Sequence, residues 1–315
     1  RRPPGRRGVE LVTEGGRVVA VVADTGGHRE TYRGHAILLC DGGFQANPEL
    51  VGRYITREYK LRGSVSDTGD ALQMGIRAGA RIVNMEWFYG HCHARDALRN
   101  DALWPGFGIA SLVVAGATVD GFGERFADEG LGDETMADRI AKSRTPGGCW
   151  VIFDDEVWET TGRQGDQYPL NPSLQEQGGT VLSAASLEEL ADEAGLPVGA
   201  VLKTVEAFNA SFGGAPIEPP RTSELARRIA KPPFHAVPLI AGITFAMGGL
   251  LVNRNGQVLD ESENVIEGLY AAGGSMGGLQ GGPNFGYTGG WSEATTFGLL
   301  AAEHVAASVA AGART

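Results

Sequence analysis

A chain of 315 residues with 42% hydrophobic side chains can bury a sizeable core, in one large domain or two, and reads as a soluble globular protein. Its formal net charge of −11 argues against nucleic acid or an anionic membrane surface as partner, and no uninterrupted apolar run approaches a membrane span. Cys40, Cys92 and Cys149, odd in number and widely spaced, fit reduced thiols in a cytoplasmic protein better than a disulfide framework.

The chain opens Arg1-Arg2-Pro3-Pro4-Gly5-Arg6-Arg7. No apolar segment follows, so this is no twin-arginine export signal; a frayed, solvated end is expected. Two strands are predicted at Val9–Thr13 and Arg17–Ala23, turned by Glu14-Gly15-Gly16. Glu30–His35 then leads into Ala36–Cys40, an apolar run with the pattern of a central strand, ended by the tight turn Asp41-Gly42-Gly43-Phe44. Asn47 at N-cap and Pro48 at N1 start a helix that runs to about Tyr54. A second helix is predicted from Asp70 to Ala78 with Gly79 at its end, and Asp70 is a natural N-cap for it.

From Glu86 the character changes. Trp87-Phe88-Tyr89-Gly90-His91-Cys92-His93, followed by Trp104-Pro105-Gly106-Phe107-Gly108, is an aromatic and imidazole patch suited to the wall of an apolar pocket or to packing. His91 and His93 share one face of a strand, which invites a metal, but no further His/Cys/Asp set at ligand spacing follows and no metal site is assigned. Val113–Val119 reads as a strand, Asp120–Gly123 as a turn, and Glu124-Arg125-Phe126 as the returning partner. Asp128, Glu129, Asp133 and Glu134 are acidic enough for acid–base work, though a solvated loop is the favoured reading. Cys149–Asp154 is another strand; Ser186–Ala194 and Gly199–Phe212 are amphipathic helices with no chemistry assigned. Pro219-Pro220 and Lys231-Pro232-Pro233 lead out of this region, and Leu250–Asn253 with Gln257–Leu259 is predicted as a small hairpin about Arg254-Asn255-Gly256.

The C-terminal stretch is the most informative. A short strand, Leu269–Ala272, is followed by a loop with nine glycines between Gly273 and Gly290, then by a long small-residue helix from about Trp291. Each glycine is costly to order, so the loop is either an ordinary surface loop or a place where bare backbone approaches a flat ligand. Gly289-Gly290 stand at the mouth of the helix, whose free N–H groups and dipole favour an anion.

This stretch, with Leu38–Phe44, Asp67–Leu72, Glu124–Glu129 and Gly242–Gly249 in the same order, resembles the fumarate reductase/succinate dehydrogenase flavoprotein family, which includes 3-ketosteroid dehydrogenases and tricarballylate dehydrogenase. The resemblance implies FAD and a mixed α/β (α+β) fold: a Rossmann-like FAD-binding domain interrupted by an α+β capping domain. The implied bounds are 1–88 and 243–315 for the FAD-binding domain and 89–242 for the cap. It implies cofactor contacts at Asp41, Gly42, Gly43, Thr68, Gly69, Asp70, Gly248, Gly273, Gly274, Gly289, Gly290 and Trp291; the glycine pair at the helix mouth would meet the charge of a reduced flavin. The Gly-x-Gly-x-x-Gly unit that relatives carry upstream of Val9 is not found, so the FAD-binding part reads as incomplete at its N-terminal side.

Members of that family move a hydride between a substrate carbon and flavin N5, making or reducing a C–C double bond beside a carbonyl or carboxylate. The fumarate-reducing branch grips its dicarboxylate with His and Arg; here Phe245 and Tyr287 stand at those places, and the segment matching its proton-donor Arg reads Gly132-Asp133-Glu134, without Arg unless a gap brings in Arg139. Tyr287-Thr288-Gly289-Gly290 instead resembles the Tyr and Gly by which ketosteroid dehydrogenases hold the substrate ketone, with Tyr287 stabilising an enolate. Tyr89, His91 and His93 are the candidate bases. The expected protein is thus an FAD-dependent oxidoreductase acting on a small, fairly apolar carbonyl compound, with an electron acceptor the sequence does not name. Oxidation of a polycarboxylate held by Arg95, Arg99 and Arg221 is one alternative; a non-catalytic fragment or half of a split flavoprotein is the other. No nucleic acid, no membrane and a cytoplasmic location are expected.

Overall fold

The computed structural model describes residues 7–104, 108–164, 169–283 and 286–312. The expected frayed end at Arg1–Arg6, the Pro105-Gly106-Phe107 part of the aromatic patch, and Asn284-Phe285 of the glycine loop lie outside them. The chain divides into two units: Arg1–Ile55, Gly63–Tyr89 and Thr244–Thr315 form the first, Thr56–Arg62 and Gly90–Ile243 the second.

The first unit begins with an antiparallel meander, Arg7–Glu14, Arg17–Thr25 and His28–Arg33. Alternation along the middle strand turns Val18 and Ala20 inward, both fully buried. The third strand, His-Arg-Glu-Thr-Tyr-Arg, is nearly all polar and exposed, which is why its pattern gave no strand signal. A second sheet orders Gln257–Leu259, Val265–Ala271 and Ile37–Leu39, the last two parallel with Leu269 opposite Ile37 and Ala271 opposite Leu39. Among the described residues Ile37–Leu39 is an edge rather than the expected central strand, and Leu38 is 41% exposed. A third small sheet sets Gly249–Leu251 between Met276–Gly277 and Ile82–Val83. Helix Pro48–Tyr54 starts as expected: Asn47 Oδ1 accepts from the N–H groups of Glu49 and Leu50 at 3.1 and 3.2 Å.

The second unit is built on a sheet ordered Leu182–Ala184, Phe234–Ala246, Trp150–Asp154 and Ala117–Val119, antiparallel throughout, with Tyr59–Leu61 running parallel to Ala241–Ile243. Helices Leu187–Glu193 and Val198–Ser211 cover it. Val201, Val205 and Phe208, spaced as one helical face, pack with Leu190 on Trp150, Ile152 and Ala236. Ser186 Oγ accepts from Glu189 N–H at 3.2 Å and so caps the first of these helices.

Some expectations are corrected. The strand predicted over Val113–Val119 is helix Ala110–Ala115 followed by the short strand Ala117–Val119. Leu112, Val113 and Ala115 are all buried, and tertiary packing overrides the β-branched preference. Gly116 makes the change of direction possible: a Cβ there would come within 2.5 Å of the Ile152 carbonyl oxygen. The predicted hairpin Leu250–Asn253 with Gln257–Leu259 closes about its turn, through Asn253 N–H to the Gln257 carbonyl at 3.0 Å and the bridge Val252 to Val258, but its arms join different sheets. Helix Asp70–Arg77 is not capped by Asp70; Gly69 is its N-cap at φ +74, and the carboxylate of Asp41 accepts the Ala71 N–H at 2.9 Å. Residues Gly290–Ala311 of helix Gly290–Gly312 are long and apolar enough to cross a membrane by length and composition alone, and most of them are not buried. Glu293, Glu303 and His304 interrupt the run, so no uninterrupted stretch shows in the sequence.

Candidate functional site

In the first unit the parallel strands Ile37–Leu39 and Val265–Ala271 release their chains side by side, at the carboxyl ends where open α/β sheets place their ligands. The turn Asp41–Gly43 leaves one, Gly273–Ser275 the other. Ser275 Oγ lies 3.1 Å from Asp41 Oδ1 and 3.2 Å from the Gly42 carbonyl, and a Cβ on Gly274 would meet Gly43 N at 3.0 Å. Thr68-Gly69 joins through Gly69 N–H to the Gly43 carbonyl, 3.1 Å. Gly248 presses on the backbone of Asn84 and Met85, where a Cβ would come within 2.4 Å of Met85 Cα. Gly273 packs on Ala294, in the second turn of the C-terminal helix.

Not every expected contact residue is available in the same way. The Asp41 carboxylate is occupied by Ala71 N–H and Ser275, and burial raises its pKa against those hydrogen bonds. Asp70 forms a two-pronged ion pair with Arg7, at 2.5 and 2.6 Å. Trp291 is 87% exposed. Gln45 is a residue that sequence reasoning missed. It is fully buried, gives Nε2 to Asp67 at 2.6 Å and accepts the Ala246 N–H at 3.2 Å, so it fastens the Gly43 turn to the segment carrying Phe245.

Three rings called from scattered positions come together. Tyr89 stacks on Phe245 (centroids 5.1 Å, planes 11° apart) and touches Tyr287 (4.6 Å), while Phe245 and Tyr287 lie 5.8 Å apart. The Gly290 N–H, at the start of the C-terminal helix, donates to the Tyr287 hydroxyl oxygen at 3.3 Å. Below this, Glu293 and Gln280 are both buried and hydrogen-bonded to each other. Burial pushes the Glu293 carboxyl up to about 7. The native state therefore holds this proton where the unfolded chain releases it. The stabilisation is complete below about pH 4.5 and lost as pH rises through about 7. Glu293→Gln, which does not titrate, should gain in melting temperature over the parent between pH 5 and pH 7.5; a constant difference across that range would contradict it.

In the second unit His91 Nδ1 lies 2.6 Å from Asp133 Oδ2, and Asp133 Oδ1 accepts the Cys92 N–H at 2.8 Å. The Asp133 carboxylate thereby fixes the orientation of the His91 ring. Burial raises the Asp133 pKa, with the Cys92 N–H opposing. His93 is buried edge-on against Trp104, 5.2 Å between centroids, so the two histidines have different partners. The acidic group is not a solvated loop. Glu129 is buried and paired with Arg125, Asp128 is buried and accepts from Thr222, and Asp133 holds His91. Arg95 donates to the Gly147 carbonyl at 2.5 Å and lies over Trp150. Arg221 stacks on Phe212 at 3.8 Å and donates to Ser211 Oγ, whereas Arg99 is exposed.

Residues 6–286 match the family model described as an FAD binding domain. The NADH:acrylate oxidoreductase of Vibrio harveyi is 27% identical, over 89% of this chain and 28% of its own length. The 3-oxosteroid 1-dehydrogenase of Mycolicibacterium smegmatis is 27% identical, over 96% and 58%. The crystal structure of 3-ketosteroid-Δ4-(5α)-dehydrogenase from Rhodococcus jostii RHA1 in complex with 4-androstene-3,17-dione shares the fold. Its TM-score is 0.70, with 24% identity over 94% of this chain and 58% of that one. The chain thus spans about a quarter to three-fifths of these relatives.

FAD is the cofactor that this match implies, and the residues present fit it. At Gly69 and Gly248 a side chain would strike the protein itself, but at Gly290 an added Cβ would meet nothing within 4 Å. The space beside Gly290 is open, its N–H is given to the Tyr287 hydroxyl, and the dipole of a 23-residue helix lies behind it. With most of its length matched and its glycine turns gathered at the strand ends, the chain belongs to the FAD binding domain family of flavoproteins.

Proposed function

We propose that this chain is the part of an FAD-dependent oxidoreductase, acting on CH–CH groups, that makes or reduces a C–C double bond α,β to a carbonyl. The observation that carries the reading is the contact of two phenols, Tyr89 and Tyr287, with the Tyr287 oxygen at the N–H of Gly290. When bound, FAD supplies the hydride acceptor or donor. Gly290 N–H fills an acceptor position on the Tyr287 oxygen and leaves the phenol proton for a substrate carbonyl. As the α-proton leaves, charge gathers on that carbonyl oxygen, where a positioned donor is worth most. Tyr89 is the first candidate to take the proton. His91, its Nδ1 held by Asp133, and His93, packed on Trp104, are the other candidates and belong to the second unit.

Phe245 gives the site an apolar wall that cannot grip a carboxylate, and Arg95 and Arg221 are engaged within their own unit. These features favour an apolar carbonyl compound over a polycarboxylate, and the steroid dehydrogenases among the relatives make a 3-oxo steroid the first substrate to try. The test is gel filtration of the purified chain with FAD, followed by anaerobic addition of 4-androstene-3,17-dione. Flavin should co-elute and its visible absorbance should bleach. A colourless protein peak, or a flavin bleached by tricarballylate and not by the steroid, or by neither, would sink the reading.

A further inference from the structure

The first turn of the C-terminal helix buries an acid. Glu293 is 7% exposed and Gln280, whose Nε2 donates to it, is 3% exposed. The amide orientation is set by chemistry: Thr288 N–H needs an acceptor, so Gln280 turns Oε1 towards it at 3.3 Å and leaves Nε2 for Glu293. The backbone carbonyl of Gln280 also accepts from Asn84 Nδ2 at 2.6 Å. One residue on, Gly281 and Gly286 exchange backbone hydrogen bonds at 2.8 and 3.3 Å. A single glutamine therefore ties both feet of the loop that carries Tyr287, and ties them to the helix.

An acidic residue placed in a first turn only to favour the helix dipole has no need of burial. Burying a carboxyl group is costly unless its hydrogen bonds are supplied. Here the cost is borne beside Tyr287 and Gly290, and it secures an acceptor at one fixed point. We infer that Glu293 is a positioning residue which, through Gln280, fixes the Thr288–Gly290 backbone and so holds the Tyr287 hydroxyl against the Gly290 N–H. Its consequence for turnover rests on the reading of Tyr287 proposed above; the clamp itself does not.

Residue-resolved amide hydrogen exchange on the full chain tests the clamp without flavin or substrate. Glu293→Gln keeps an oxygen acceptor for Gln280, Glu293→Leu removes it, and Gln280→Leu removes the bridge from its other side. Exchange at Thr288 and Gly290 should rise about tenfold in both leucine variants, the local protection of one hydrogen bond. It should stay at the parent level in Glu293→Gln, with the helix beyond Phe297 unchanged in all three. If Glu293→Leu does not fold, Gln280→Leu decides. Unchanged exchange in a folded leucine variant, or a glutamine variant as loose as the leucine one, overturns the clamp. With FAD and a carbonyl substrate, the leucine variants should lose about tenfold in kcat with little change in KM, the mark of an interaction used in the transition state. Raised exchange with unchanged kcat would overturn the positioning role while leaving the clamp standing. Should no substrate be turned over at all, the exchange result still decides the clamp.

Discussion

Tyr287→Phe should lower kcat by about 10²–10³-fold, the effect of removing one positioned donor from a developing oxyanion, while KM and flavin retention change little. The substitution is conservative in shape. The ring contacts with Tyr89 at 4.6 Å and Phe245 at 5.8 Å remain, and the Gly290 N–H is left to water because Tyr287 is 44% exposed. Folding should be untouched, so the loss reads directly on the chemical step. Steady-state kinetics beside a flavin-binding titration make the measurement. An unchanged kcat would assign Tyr287 to packing on the glycine loop and pass the carbonyl-holding role elsewhere.

Arg125→Ala should destabilise the second unit by about 3–5 kcal/mol, the cost of stranding one member of a buried ion pair. Arg125 and Glu129 are 3% and 1% exposed at their side chains and meet at 2.6 Å; the guanidinium also donates to the Pro219 and Pro220 carbonyls and lies over Phe208. Burial raises the Glu129 pKa even with Arg125 present, and Arg125 is the first influence that holds it down. Without that partner the carboxyl should be carried as the acid. The loss should therefore be smaller at pH 5 than at pH 7, and a variant with both residues replaced by Met and Leu should recover much of it. Thermal melts followed by circular dichroism would show a fall of about 10 °C at neutral pH. A shift within a degree or two would mean that the pair is dispensable.

What the sequence made legible was local. Asn47-Pro48 announces a helix start because a cap and the N–H it satisfies lie within three residues, and the glycine turns after Leu39 and Ala272 carry their own conformational signal. The missed features pair polar groups far apart in the chain. Gln45 reaches Ala246, Asp41 caps Ala71 from 30 residues away, Asp133 holds His91 across 42, and Glu293 meets Gln280 over a loop of glycines. An isolated Gln or Asp gives no hint of its partner, and a cluster of acids looks solvated until the fold turns three of them inward. Ala110–Ala115 fails for the opposite reason: its β-branched residues carry a clear local preference, and packing overrules it.

Two glycines of this chain differ in what a side chain would meet. At Gly69 the backbone sits at φ +74 and any Cβ would meet Phe44 and Leu50 at 2.9 Å, so replacement fails during folding whatever the cell's supply of flavin. At Gly290 a Cβ would meet nothing within 4 Å, so the fold itself tolerates a side chain there. Gly290→Ala should therefore melt with the parent, and any loss of flavin retention in it would report on the ligand alone.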